Sequence, residues 1–216
     1  VITVLMPSRG RERQATEAYE AFVATKSLVA TEMLVVLDEG EPGYADVPTL
    51  HVAHEGGMAN ALNAALVYAS PTIYGFIGDD HRFRTDGWDE RIIEANTEID
   101  GAIAYGDDLL RGEELPSQVF IDARIVRALG WMALPGAKHL FLDDTWRELG
   151  RALGRLRYRP DVVIEHLHPT SGKADWDDNY RRVNSPALYG HDAAVFHRWM
   201  NEGIDADVLR VEAAMR

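Results

Sequence analysis

The stretch on which the fold turns is "YGFIGDDHRF", Tyr74 to Phe83. A run of apolar residues ends at Gly78 and gives way to Asp79, Asp80 and His81. A short apolar run bounded by polar residues reads as a strand covered on both faces, at the centre of a sheet. Its end has two readings. One is an Asp-rich turn. The other is a pair of carboxylates that repel each other until a hard cation relieves them. Mg²⁺ and Mn²⁺ take oxygen ligands, usually one or two carboxylates beside phosphate oxygens and water. Asp107-Asp108, a second acidic pair after a predicted strand, shows that the doublet alone does not decide.

Working outward, strands and helices alternate. "VITVLM" is a β-branched strand stopped by Pro7, and "SRGR" is a polar loop. Glu12 to about Lys26 reads as a helix with Ala18, Phe22 and Val23 on one face. "MLVVLD" and "TLHVAH" are further strands, and "EGGMANALNAALVYAS" becomes a helix that stops near Pro71. After "IYGFIG" come the helix "GWDERIIEANTEI", the strand "AIAYGDD", and "QVFIDARIVRALG", a strand leading into a helix capped by Asp122. "LDDTWRELGRALG" is a helix, "DVVIEHLHP" a late strand, and the tail from Ala187 to Arg216 is helical. The expected class is α/β, with a mostly parallel central sheet flanked by helices and a C-terminal helical extension. Residues 1–170 form the sheet domain, and 171–216 a loop and helix packing on it. Such sheets bind ligands at the carboxyl ends of their strands. Pro7-Ser8-Arg9, Asp38-Glu39, Asp79-Asp80-His81 and the histidines of "EHLHP" all fall there.

Composition narrows the classes. Hydrophobic residues make up 46% and charged residues 26%, as in an ordinary globular chain. The net charge of −13, from 35 acidic and 22 basic side chains, disfavours non-specific nucleic-acid binding without excluding nucleic acid as a partner. No apolar run approaches the ~20 residues of a membrane span. The opening reads as a strand rather than a signal segment. Cysteine is absent, so thiolate chemistry is excluded, and a cytoplasmic location is expected. There is no dinucleotide, P-loop, nucleophile-elbow or HExxH motif.

Three clusters carry chemistry. The first is "GDDH". In the second, His166 and His168 stand two apart on a predicted strand, so both point to one face and either can supply an imidazole ligand. In the third, Asp143 and Asp144 open a helix, where one can cap and the other serve as a general base. Arg9, Arg11 and Arg13 either meet phosphates or decorate a loop. Trp131, Trp146 and Trp176 either stack on a ligand or fill the core. The polar segment 169–187, with Lys173, Trp176 and Tyr180, is either a lid or a surface excursion.

The order of these clusters resembles family 2-like glycosyltransferases with the GT-A fold, of the short phage and bacterial type. "ITVLMPSRGR" resembles their opening strand and loop, "LVVLDEG" their second strand, "GGMANALNAAL" their Gly/Asn-rich helix start and "YGFIGDDHRF" the strand bearing their DxD motif. "LDDTWRELG" is similar to the later acidic pair, and "VVIEHLHP" to a late metal-binding His. The resemblance covers about residues 1–170 and implies a single GT-A-like Rossmannoid domain. It implies sugar transfer from a nucleotide diphosphate sugar, a UDP-sugar by default, to an acceptor hydroxyl, with Mn²⁺ or Mg²⁺ as cofactor. Pro7, Ser8 and Arg9 would line the nucleotide pocket, with Asn60 at the Gly/Asn-rich helix start. Asp38 would meet the base, Asp79 the ribose and Asp80 the metal. Asp143 or Asp144 would be the base, and His166 or His168 the remaining metal ligand. One departure stands out: Gly78 occupies the place of the first Asp of DxD. The competing readings are a nucleotidyltransferase that makes nucleotide sugars and a non-catalytic nucleotide-sugar-binding module.

Overall fold

The computed structural model describes all 216 residues. Eight strands form one sheet in the order β3-β2-β1-β4-β7-β6-β8-β5. They are β1 (Ile2–Pro7), β2 (Glu32–Asp38), β3 (Thr49–Val52), β4 (Ile73–Phe76), β5 (His81–Phe83), β6 (Ile103–Asp107), β7 (Val119–Asp122) and β8 (Leu156–His166). The helices are α1 (Glu12–Thr25), α2 (Met58–Ala65), α3 (Trp88–Glu98), α4 (Ala123–Leu129), α5 (Leu142–Ala152), α6 (Asp178–Val183), α7 (Pro186–Glu202) and α8 (Ile204–Ala214).

The first half of the sheet is parallel: β1 pairs with β2 and β4, and β2 with β3. The strands β1, β2 and β4 therefore end on the same edge, which collects Ser8, Asp38 and the acidic pair. In the second half β7 runs antiparallel between β4 and β6, while β6 and β8 are parallel. Core packs on both faces. On one, Phe22, Phe83, Trp88 and Phe120 gather. On the other, Trp131 and Trp146 meet Phe196, Trp199 and Val211 of the C-terminal helices. Both Trp131 and Trp146 are core residues, with ring centroids 5.5 Å apart, so neither stacks on a ligand. No helix is long and apolar enough to cross a membrane.

Local expectations differ in places. On α1 the buried residues are Ala15, Ala18 and Phe22, spaced three and four apart, and Val23 is exposed because it lies one step round the helix. The strand expected through Gly78 stops at Phe76. The chain then turns at Asp79-Asp80 and enters β5, a strand too short to show a pattern in sequence. The segment 169–187 contains a 3₁₀ turn and α6. The late strand starts at Leu156, not Asp161, because Leu156–Arg159 already pair with β6.

One irregularity on β8 matters for the site. Gly106 pairs with Arg159, but the next residue, Asp107, pairs with Val163. The intervening residues bulge at Pro160, which has no N–H to give to a ladder. A Cβ at Gly106 would collide with the Val162 carbonyl, so glycine permits this close approach. Beyond the bulge β8 continues to pair with β5, and His166 comes to lie opposite His81.

Candidate metal and nucleotide site

The strand ends open into one cleft of about 880 Å³. Pro7, Ser8, Arg9, Asp38, Asp79, Asp80, Asp143, His166 and His168 all line it. Asn60 and Asp144 do not. Asn60 donates its side-chain amide to the Gly56 carbonyl at 2.9 Å, and Asp144 pairs with Arg147 at 2.7 Å.

Three of these elements meet at Asp80. Asp80 Oδ1 lies 3.1 Å from His81 Nδ1, and Asp80 Oδ2 lies 3.4 Å from His166 Nε2. The two imidazoles stack with centroids 4.3 Å apart. One ligand atom from each of Asp80, His81 and His166 falls within 4.8 Å of the others. The Gly78 N–H donates to His81 Nδ1 at 3.2 Å. His81 Nδ1 therefore lies between the Gly78 N–H and Asp80 Oδ1, 3.1 Å from the latter. Burial opposes the charge on Asp80, but the His166 hydrogen bond outweighs it and holds the carboxyl well below its ordinary value. Burial also opposes the charge on His166, and Asp80 overcomes this and raises it. Burial and the neighbouring His166 lower His81.

Gly78 is explained by the same geometry. A Cβ there would lie 2.5 Å from Asp80 Oδ1 and 3.2 Å from His81 Nδ1. A side chain at this position would fill the space between the candidate ligands.

Asp79 faces the other way. Its Oδ2 accepts from Ser8 Oγ at 2.7 Å, and its Oδ1 meets Arg11 Nη1 at 2.8 Å. Burial raises its carboxyl to about 7, against the pull of Arg11. Arg11 was open between phosphate contact and loop decoration. It is a half-buried cation in the cleft wall, whereas Arg13 is exposed beside Glu17. Tyr44 Oη accepts from the Arg11 N–H at 3.1 Å and lies 3.3 Å from Ser8 Oγ, fixing this loop. Asp38 is held by His54 at 2.6 Å and by Arg9 at 3.7 Å.

The two open choices also separate. Asp143 faces the cleft from the first turn of α5, and burial together with the charge of Asp144 raises it to about 6. His168 lines the cleft but is not in the Asp80 cluster. β8 ends at His166, so strand alternation does not reach His168, whose Nδ1 instead accepts from Thr170 N at 3.2 Å. Sequence reasoning did not place His81 in this cluster, although its adjacency to the acidic pair was the available signal. It also missed Tyr180 as a partner of Asp80, a contact across 100 residues with no local trace.

No family model matches this chain, and no curated protein matches it in sequence. Solved structures do match it in shape. A mannosyltransferase from Pyrobaculum calidifontis, in complex with GDP-Man and Mn²⁺, superposes with a TM-score of 0.61 at 14% identity, over 99% of this chain and 73% of that one. S. aureus TarS gives 0.60 at 12% identity, over 93% of this chain. Glucosyl-3-phosphoglycerate synthase from Mycobacterium tuberculosis, in complex with Mn²⁺, UDP and phosphoglyceric acid, gives 0.60 at 13%, over 91% of this chain and 77% of that one. This chain has the GT-A fold. It spans 43% of the longer TarS chain. In this GT-A domain the cleft lies at the carboxyl ends of β1, β2 and β4, and the imidazoles come from the β5–β8 pair.

Proposed function

We propose that this chain is a metal-dependent glycosyltransferase that moves a sugar from a nucleotide diphosphate sugar to an acceptor hydroxyl. The observation that carries the reading is the meeting of Asp80, His81 and His166 at the ligand-binding edge of a GT-A sheet. Their donor set fits a divalent cation: one ionised carboxylate oxygen and two imidazole nitrogens. Imidazoles favour Mn²⁺ over Mg²⁺, which prefers oxygen. Bound there, the cation supplies neutralisation of the charge that gathers on the departing diphosphate.

The protein's own groups do the rest. Ser8, Arg11 and Asp79 form one bonded unit in the nucleotide half of the cleft. Both Asp79 oxygens already hold protein partners, so its part is to fix Ser8 and Arg11 in the wall. Asp38, anchored by His54, faces the same half. Asp143 takes the acceptor proton while the hydroxyl oxygen bonds to the anomeric carbon and the diphosphate leaves with the electron pair. Its carboxyl, raised to about 6, suits a base working near neutrality. Asp144 is neutralised by Arg147 outside the cleft and serves the helix.

Isothermal titration with UDP and GDP, each with Mn²⁺ or EDTA, tests the reading. The expected result is binding of one nucleotide that needs Mn²⁺, followed by release of that nucleotide from the matching sugar donor. Binding of neither with Mn²⁺ present contradicts it.

A further inference from the structure

The chain beyond β8 returns across the cleft, where α6 bonds to the acidic pair. Tyr180 of α6 donates its hydroxyl to Asp80 Oδ2 at 2.7 Å. Arg11, already bound to Asp79, lies with its guanidinium carbon 4.5 Å from the centroid of the Tyr180 ring. The same guanidinium reaches Asp177 at 3.4 Å, and Asp177 caps α6 by accepting from Tyr180 N at 2.7 Å. Both carboxylates of the pair are therefore tied to a single helical turn. Packing alone does not require this, since a phenylalanine would bury the same ring.

We propose that α6 completes the cation centre: Tyr180 is a positioning residue that fixes the Asp80 carboxylate, and cation binding and α6 docking strengthen each other. This rests on the reading of Asp80, His81 and His166 as a cation site. The donated proton occupies one lone pair of Oδ2. It leaves Oδ1 and the second lone pair of Oδ2 toward the imidazoles, and it removes the rotation of the carboxylate that ligation would otherwise have to freeze. Partners that orient a ligating group are commonly worth ten- to a hundredfold in metal affinity. The helix itself is weak. It has six residues, of which Tyr180 and Val183 are buried, and so short a helix depends on its docking contacts. Because coupling between two binding events is reciprocal, what Tyr180 does for the cation the cation does for α6.

The test uses the full chain, Mn²⁺ as the probe, and two readouts: the free-Mn²⁺ electron paramagnetic resonance signal for affinity, and amide hydrogen exchange over 173–185. Tyr180→Phe keeps the ring and removes the hydroxyl. It is expected to bind Mn²⁺ about tenfold more weakly. Mn²⁺ is expected to slow exchange across α6 in the wild type and much less in Tyr180→Phe. Asp177→Asn weakens the cap without touching Asp80, and is expected to give a smaller loss in the same direction; it carries the test if the first variant fails to fold. Unchanged or tighter Mn²⁺ binding in Tyr180→Phe overturns the proposal, as does exchange over α6 that ignores Mn²⁺. A wild type that binds no Mn²⁺ overturns the cation site itself, a separate outcome.

Discussion

Two acidic pairs follow strands in this molecule, and they do opposite things. Asp107, the last residue of β6, and Asp108 turn their oxygens onto backbone. Asp107 Oδ1 accepts from Leu109 N at 2.8 Å, and Asp108 Oδ1 takes the N–H groups of Leu110, Arg111 and Gly112 at 2.6–2.9 Å. The carboxylates of Asp79 and Asp80, after β4, accept no backbone amide. Their partners are side chains of Ser8, Arg11, His166 and Tyr180, with His81 alongside. In sequence the two pairs are alike. What separates them is the next few residues. After Asp108 the chain folds back at once and presents its N–H groups. After Asp80 it enters β5 and carries them away into the ladder with β8. A carboxylate spent on amides builds a turn, whereas one faced by imidazoles and a phenol remains open to a cation.

The largest effect should come from the pair facing the cleft. Asp80→Ala should abolish Mn²⁺-dependent nucleotide binding and lower sugar transfer by more than about 100-fold, beyond what loss of a mere supporting contact costs. Retained metal-dependent binding in a titration would erase the contrast between the pairs.

The next effect sharpens the contrast within a third pair. Asp143→Asn should leave donor binding intact and cut turnover by roughly 10²–10⁴-fold, the range of a general base. Asp144→Asn should stay within a few-fold of wild type. In the wild type, turnover should climb as pH rises through about 6, where Asp143 becomes ionised. The sign for stability is opposite. The folded protein holds this proton more tightly than the unfolded chain, so stability is lost as pH rises from the ordinary carboxyl range to about 6. Asp143→Asn should therefore melt higher than wild type at pH 7 while turning over far more slowly. Equal rates for the two variants would sink the base assignment.

The smallest effect belongs to the turn-building pair. Asp108→Asn should cost about 1 kcal/mol of stability through weakened amide bonds, a fall in melting temperature of roughly 2–4 °C. Mn²⁺ affinity should be retained. A large loss of metal binding with unchanged melting would reverse the roles of the two pairs.

Much of this is legible in the amino-acid sequence. The apolar runs of β1, β2 and β4 and the alternation with helices gave the class, and every strand end that carries a candidate residue was placed on the ligand edge. Asp80 stands out because it follows an apolar run, and His166 stands out together with His168 because both lie on or beside a predicted strand. The rest depended on geometry that has no local signature. His168 looked equivalent to His166 until β8 proved to end between them. His81 gained its place through β5, three residues long, and through a bulge at Pro160 that sets the register. Arg11 and Arg13 have the same spacing and opposite surroundings, because only Arg11 points at a buried acid. Asp143 and Asp144 differ by one step of a helix, and only the fold says which step faces the cleft.

The most direct test of the central claim asks what touches a bound ion. Pulsed electron paramagnetic resonance on the Mn²⁺-loaded protein detects nitrogen nuclei coupled to the metal. Modulation from two imidazole nitrogens is expected in the wild type, reduced to one in His81→Ala and in His166→Ala, and unchanged in His168→Ala. Bound Mn²⁺ without nitrogen coupling, or a signal that depends on His168 and not on His81, would contradict it.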